Sequence, residues 1–101
     1  MEHRIINIAK DFSYYPGGRH GPLGGEKFRR DFLEPVLAAG LHAKISFDGA
    51  RGYDSSFLEE AFGGLVREGF SSQKVLDAFD FASKDESIID EIREYITDAK
   101  R

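Results

Sequence analysis

Residues 41–66 change periodicity partway along, and that change restricts the chain to few folds. Leu41-His42-Ala43-Lys44-Ile45-Ser46-Phe47 alternates apolar and polar positions, which is the pattern of a strand with Leu41, Ala43, Ile45 and Phe47 on its core face. After Asp48-Gly49-Ala50-Arg51-Gly52-Tyr53 the spacing turns helical, with Leu58, Ala61, Phe62 and Leu65 on one stripe. Asp54, Ser55 and Ser56 stand at the junction. Each carries an oxygen suited to the unpaired N–H groups of a first helical turn, and Ser56 with Glu59 has capping-box spacing. A strand, a glycine turn and a capped helix make a β-α unit. Two serine hydroxyls are thereby expected at a helix N-terminus beside the exposed end of a strand.

The clean alternation also says what covers the sheet. A strand buried on both faces reads as a continuous apolar run, so helices are expected on one face and a largely polar surface on the other. Arg4-Ile5-Ile6-Asn7-Ile8-Ala9 is short and β-branched and predicts a first strand. Lys10 to Tyr15 reads equally as an extension of it or as a second strand across Pro16-Gly17-Gly18. The helix that begins at Glu26 carries Phe28, Phe32 and Val36 on one stripe, with a kink or break expected between Asp31 and Glu34 because of Pro35, and a C-cap at Gly40. Arg29 and Arg30 fall on or beside its exposed face.

Gly63-Gly64 lies inside the next helix, at about 1 kcal/mol per glycine relative to alanine, which implies a close approach to neighbouring backbone or early fraying. Lys74 to Phe81 predicts a third strand, although Val75, Leu76 and Phe79 also permit a helical turn. Ser83 with Glu86 has capping-box spacing, and Ile88, Ile89, Ile92, Tyr95 and Ile96 form the stripe of a final helix. The order strand, loop, helix, strand, helix, strand, helix predicts a small α/β fold, a mostly parallel sheet with right-handed crossovers and helices packed on one face. Residues 1–101 are read as a single domain, since a chain of this length builds one core and not two.

Between Pro16 and Gly25 the chain has five glycines and two prolines, too many for a regular element. Gly17, Gly18, Arg19, Gly24 and Gly25 are the anion-binding candidates: glycine backbone N–H groups can approach a phosphate, Arg19 can donate two hydrogen bonds, and Gly24-Gly25 leads into a helix N-terminus. The stretch lacks the lysine and hydroxyl of a P-loop and the glycine spacing of a dinucleotide fingerprint, and it reads equally as a long surface turn.

Composition narrows the function classes. A net charge of -4 gives no general attraction to phosphate backbones, so nucleic acid is not expected as a partner. The absence of cysteine removes disulfides and thiolate sites and fits a reducing compartment. No apolar run approaches the roughly 20 residues that span a bilayer, and the first residues are not those of a signal peptide. The expectation is a cytoplasmic protein with no membrane partner. Ser56 and Asp54 with a histidine would be needed for hydrolytic chemistry. His20 alone is placed to reach the end of the sheet where Ser56 is expected, no nucleophile-elbow sequence is present, and no histidines have metal-binding spacing. No enzyme, cofactor or metal is therefore expected.

Strand, short turn, Asp54-Ser55-Ser56 and then Leu58 resembles the Asp-Ser-Ser-Gly-Leu-Gly signature of the STAS domains of anti-sigma-factor antagonists, with Phe57 and Glu59 where that signature has glycines. Pro16-Gly17-Gly18-Arg19, Gly21-Pro22, Gly25-Glu26, Phe28-Arg29, Ser55-Ser56-Phe57-Leu58 and Glu60-Ala61-Phe62-Gly63 resemble more closely a bacterial STAS-like domain family of unknown function. The resemblance implies a small STAS-like domain acting as a non-catalytic regulatory module in signal transduction. By the same resemblance its partner is a histidine-kinase-like ATPase, the phosphoacceptor is Ser56, and docking runs through Tyr53, Asp54, Ser55 and Ser56. The rival expectation is a nucleotide or phosphate held between the 16–25 loop and the helix N-terminus at 54–57. Phe12, Tyr14, Tyr15 and Tyr53 read either as a surface for dimerisation or as core.

Overall fold

The computed structural model describes residues 4–100. Three short strands form the sheet: β1 (Arg4–Asn7), β2 (Ala43–Ser46) and β3 (Phe79–Ala82), all parallel and in the order β1-β2-β3. The register sets Arg4 beside Ala43 and Phe79, Ile5 beside Lys44 and Asp80, and Ile6 beside Ile45 and Phe81. Because side chains alternate along each strand, Ala43, Ile45 and Phe79 fall on the covered face and are buried with Ile6, while Ile5, Lys44 and Asp80 lie on the other face and are exposed. The one-sided sheet expected from the alternation is the one observed.

Helix α1 (25–38) runs from β1 towards β2. It is α-helical over Gly25–Phe28, π-helical over Arg29–Leu33 and α-helical again over Glu34–Ala38. Pro35 has no N–H to continue the ladder; the chain accommodates it by widening the preceding turn, where the Glu34 N–H donates to the Arg29 carbonyl five residues back. The break expected from Pro35 is thus a π turn. Gly40, at φ 69°, ends the helix as expected, with Leu41 N–H returned to the Val36 carbonyl.

Helix α2 (55–67) is built in the same three parts: Ser55–Leu58, a π turn at Glu59–Gly63, and Gly64–Arg67. Helix α3 is Ser72–Ala78 and α4 is Glu86–Asp98. α4 packs on the π turn of α2, and α1 crosses the same turn. Phe28, Phe57 and Phe62, all fully buried, form the middle of the core.

Four sequence expectations are corrected here. The residues from Lys74 to Ala78 are helical, and only Phe79 onward is strand. As a strand they would place Asp77 on the same face as Val75, Phe79 and Phe81, whereas in a helix Ser71 caps the Lys74 N–H and Gln73 bonds Asp77 one turn on. β1 ends at Asn7, and Ile8–Phe12 is a single π turn, neither strand extension nor second strand. Its Phe12 ring is half-buried and packs 5.3 Å from Phe28 and 6.1 Å from Phe57. Both capping boxes are replaced by an aspartate two residues off the expected position: Asp54 caps α2 and Asp85 caps α4. Finally, Arg29 is not on the exposed face. It is 3% exposed, and its guanidinium lies where a Gly64 side chain would be.

Candidate functional site around the α2 N-terminus

The loop after β2 and the loop after β1 both open at the carboxyl end of the sheet, the place where ligands and partners approach parallel α/β sheets. Asp54 joins them. Its Oδ1 accepts the Phe57 N–H at 2.7 Å, which caps α2, and its carboxylate also takes the Gly18 N–H at 3.1 and 3.2 Å. One side chain therefore ends the turn, starts the helix and pins the glycine-rich loop.

Ser55 and Ser56 follow as the first two helical residues, both exposed. Phe57, next to them, is fully buried and turns under the helix, so its ring does not shield them. The two hydroxyls face different neighbours. Ser55 lies towards α4: Tyr95 there donates to Glu91 at 2.5 Å, and its pKa is raised chiefly by that bond, with Ser55 acting in the opposite direction. Ser56 is about 100° further round and shares a face with Glu59 and Glu60, three and four residues on.

Both glutamates are held by arginines. Glu59 receives Arg67 at 2.6 and 3.0 Å and Arg19 at 2.5 Å. Glu60 receives Arg29 at 2.7 Å and Arg19 at 3.3 Å. Arg67 holds the Glu59 carboxyl below the usual carboxylate range, assisted by Arg19 and opposed by burial. At Glu60 burial pushes upward, but the hydrogen bonds from Arg29 and Arg19 outweigh it and the pKa is lowered. Arg29 also bonds the Glu60 carbonyl at 2.8 Å and Glu34 at 2.9 Å, which explains how a guanidinium tolerates burial.

Gly64 is the counterpart of that burial: a Cβ there would overlap Arg29. A Cβ at Gly63 would likewise overlap the Glu59 carboxylate and would come within 3.4 Å of the Tyr95 carbonyl oxygen. The glycine pair thus marks close approach and not fraying, the approaching groups being mainly side chains. Gly25 serves the crossing of α1 over α2, where a Cβ would strike the Phe57 carbonyl and the Ala61 nitrogen.

The other anion-binding candidates are engaged within the chain. Gly17 N–H donates to the Leu23 carbonyl at 2.9 Å, Gly24 to Gly21 at 3.1 Å and Gly25 to Gly18 at 2.9 Å. Gly18 is bound to Asp54 and Arg19 to the glutamates, so the place a phosphate would take at this loop holds a carboxylate of the protein. His20 faces Glu26 at 3.2 Å, and His42, at the far end of the sheet, faces Asp80 at 3.0 Å; His3 lies outside the described residues. Tyr53 is half-buried, with its hydroxyl donated to the Phe47 carbonyl at 2.8 Å. Burial, with the Asp48 charge, raises its pKa.

One residue of this end, Arg51, was not singled out from the sequence. Arg51 lies over the Tyr15 ring, 5.7 Å from its centroid, and with Pro16, Gly52, Tyr53 and Asp54 these line an open recess of about 420 Å³. Tyr14 and Tyr15 are exposed, with their rings 4.8 Å apart edge to face. An exposed Arg-Gly pair in a turn carries no periodic signal that would have marked Arg51. A larger groove of about 590 Å³, lined by Leu37, Leu41, His42 and residues of α3, is at the opposite end of the sheet.

A three-stranded parallel sheet with helices on one face, carrying paired hydroxyls on the helix after its central strand, defines a small STAS-like α/β domain. Residues 24–88 match the model of the STAS-like domain of unknown function, and the chain belongs to that family. No curated protein and no solved structure matches it. Among the described residues no helix is long and apolar enough to cross a membrane.

Proposed function

We propose that this domain is a non-catalytic regulatory module that binds a protein partner through the N-terminus of α2, with Ser56 as the phosphoacceptor. The observation that carries the reading is the exposure of Ser56 at that terminus, with Phe57 buried beneath it and the flanking glutamates already matched by arginines. Membership of a STAS-like family supports a histidine-kinase-like ATPase as the class of partner, by analogy of fold. Of the predicted docking residues, Ser55 and Ser56 are the ones presented outward with free access, while Asp54 and Tyr53 hold the surface in shape. The rival ligand-binding reading has less support, because a phosphate at the 16–25 loop would have to displace Asp54.

The test is incubation with ATP and a histidine-kinase-like ATPase from the same genome, followed by phosphopeptide mass spectrometry and calorimetric binding. Phosphate on Ser56, absent in Ser56→Ala, and a change in Kd of tenfold or more in Ser56→Asp are expected. Binding unaffected by both substitutions, with Ser56 unmodified, overturns the reading. Stabilisation by a nucleotide in a thermal-shift assay, lost in Arg19→Ala, would favour the rival.

A further inference from the structure

Around Ser56, Glu59 and Glu60 each have an arginine partner besides Arg19, although Arg29 is shared with Glu34 and Glu68. Glu59 and Glu60 are matched by three guanidinium groups, those of Arg19, Arg29 and Arg67. Arg67 holds Glu59 through two bonds of its own, and Arg29, buried and also tied to Glu34, is the resident partner of Glu60. Arg19 is the third. Its side chain is 44% exposed and it is carried on the glycine-rich loop, between Gly18 at φ 76° and Gly21 at φ 89°. Its guanidinium lies against Glu59 and Glu60, one helical turn past Ser56 on the same face.

We propose that Arg19 is an intramolecular receptor for phosphate on Ser56. The phosphoserine draws the guanidinium back by one turn, Glu59 and Glu60 keep Arg67 and Arg29 as partners, and the loop shifts with its arginine. Ser56 as the modified position is carried over from the proposed function; the receptor, and the coupling of the loop to it, go beyond that reading. Phosphate adds a charge of about -1.5 to -2 with oxygens that accept from arginine in a bidentate fashion. Without a mobile cation that charge would face Asp54, Glu59 and Glu60 on α2, with Glu91 and Tyr95 on α4 nearby. With one, the repulsion is relieved and the outer surface of the 17–25 segment, including the exposed Leu23, is re-aimed beside the docking end.

Ser55 offers the contrast. It faces Tyr95, whose hydroxyl donates to Glu91, so phosphate there meets that carboxylate-linked hydroxyl first, with Glu59 and its arginines one turn on.

The experiment installs phosphoserine at position 56 of the full chain by amber suppression and follows its second ionisation by ³¹P NMR. Native Arg19 should lower that pKa by roughly half a unit or more relative to Arg19→Ala, with Arg19→Lys intermediate, because a nearby cation favours the dianion. Phosphoserine at position 55 should show a smaller dependence on Arg19. Equal values at position 56 in the native and Arg19→Ala proteins overturn the receptor. If Arg19→Ala does not fold, the Arg19 Nε resonance of the native chain decides the matter: it moves on phosphorylation, or it stays and the proposal falls. The phosphate is placed chemically, so this result stands whether or not a kinase partner is captured, and failure to capture one counts against the proposed function alone.

Discussion

Replacing Gly64 with alanine separates two effects of opposite sign. Helix propensity alone makes Gly→Ala in a helix interior stabilising by about 1 kcal/mol. Here the new methyl would overlap the Arg29 guanidinium. A solvated arginine would swing aside at little cost, but this one is 3% exposed and its Nη1 bonds both the Glu60 carbonyl and the Glu60 carboxylate. Displacing it loses charge-assisted hydrogen bonds worth roughly 1.5–3 kcal/mol each. Glu60 retains Arg19, so the lower end applies to the pair, a loss of about 3 kcal/mol.

Gly64→Ala should therefore destabilise the native protein by about 2 kcal/mol net, yet stabilise an Arg29→Ala background by about 1 kcal/mol, a coupling of about 3 kcal/mol. Urea unfolding with matched m-values reads this as midpoint shifts of opposite direction, on the order of 1–2 M for the larger. The same sign in both backgrounds, or stabilisation of the native protein, would falsify the assignment of Gly64 to the guanidinium.

Asp54→Ala should lower stability by about 1–2 kcal/mol through loss of the cap, and it should also raise amide exchange at Gly18, which loses its acceptor. Destabilisation with Gly18 exchange unchanged would show that the loop is held by something else. Stability should also decline in acid. Glu59 and Glu60 have folded-state pKa values below their ordinary 4.5, so the stabilisation they give is complete above that value and is lost as pH falls through the lower folded values. Urea midpoints should be level from pH 7 to about 5.5 and drop below about 4.5, less steeply in Arg67→Ala; an identical acid limb in that variant would contradict the role given to the Arg67 pair.

The β2-to-α2 junction was readable in advance because each step rests on local periodicity. Alternation in residues 41–47 fixed the covered face, and the polar triplet before Phe57 announced a helix start. Which oxygen caps was not readable, since Asp54, Ser55 and Ser56 satisfy the same local chemistry and the choice depends on Gly18, 36 residues earlier. The region of α3 misled because a short segment with one fully buried side chain, Val75, has little periodicity to read. Arg29 misled for a different reason. An arginine is assigned to solvent by default, and its burial requires Glu34, Glu60 and the missing side chain of Gly64 at once. Both serines stand at the start of α2, but the arginines that pair with the neighbouring glutamates come from three separate elements and share no motif.

The paired π turns have an effect on how this chain compares with others. Each holds one residue more than a regular helix of the same span, so everything beyond Leu33 in α1 and beyond Gly63 in α2 is rotated by about 100° from where an unbroken helix would put it. A relative lacking either turn superimposes on this chain only if a one-residue gap is opened inside a helix. Site residues on opposite sides of such a gap, Ser56 and Arg67 for example, must then be matched separately.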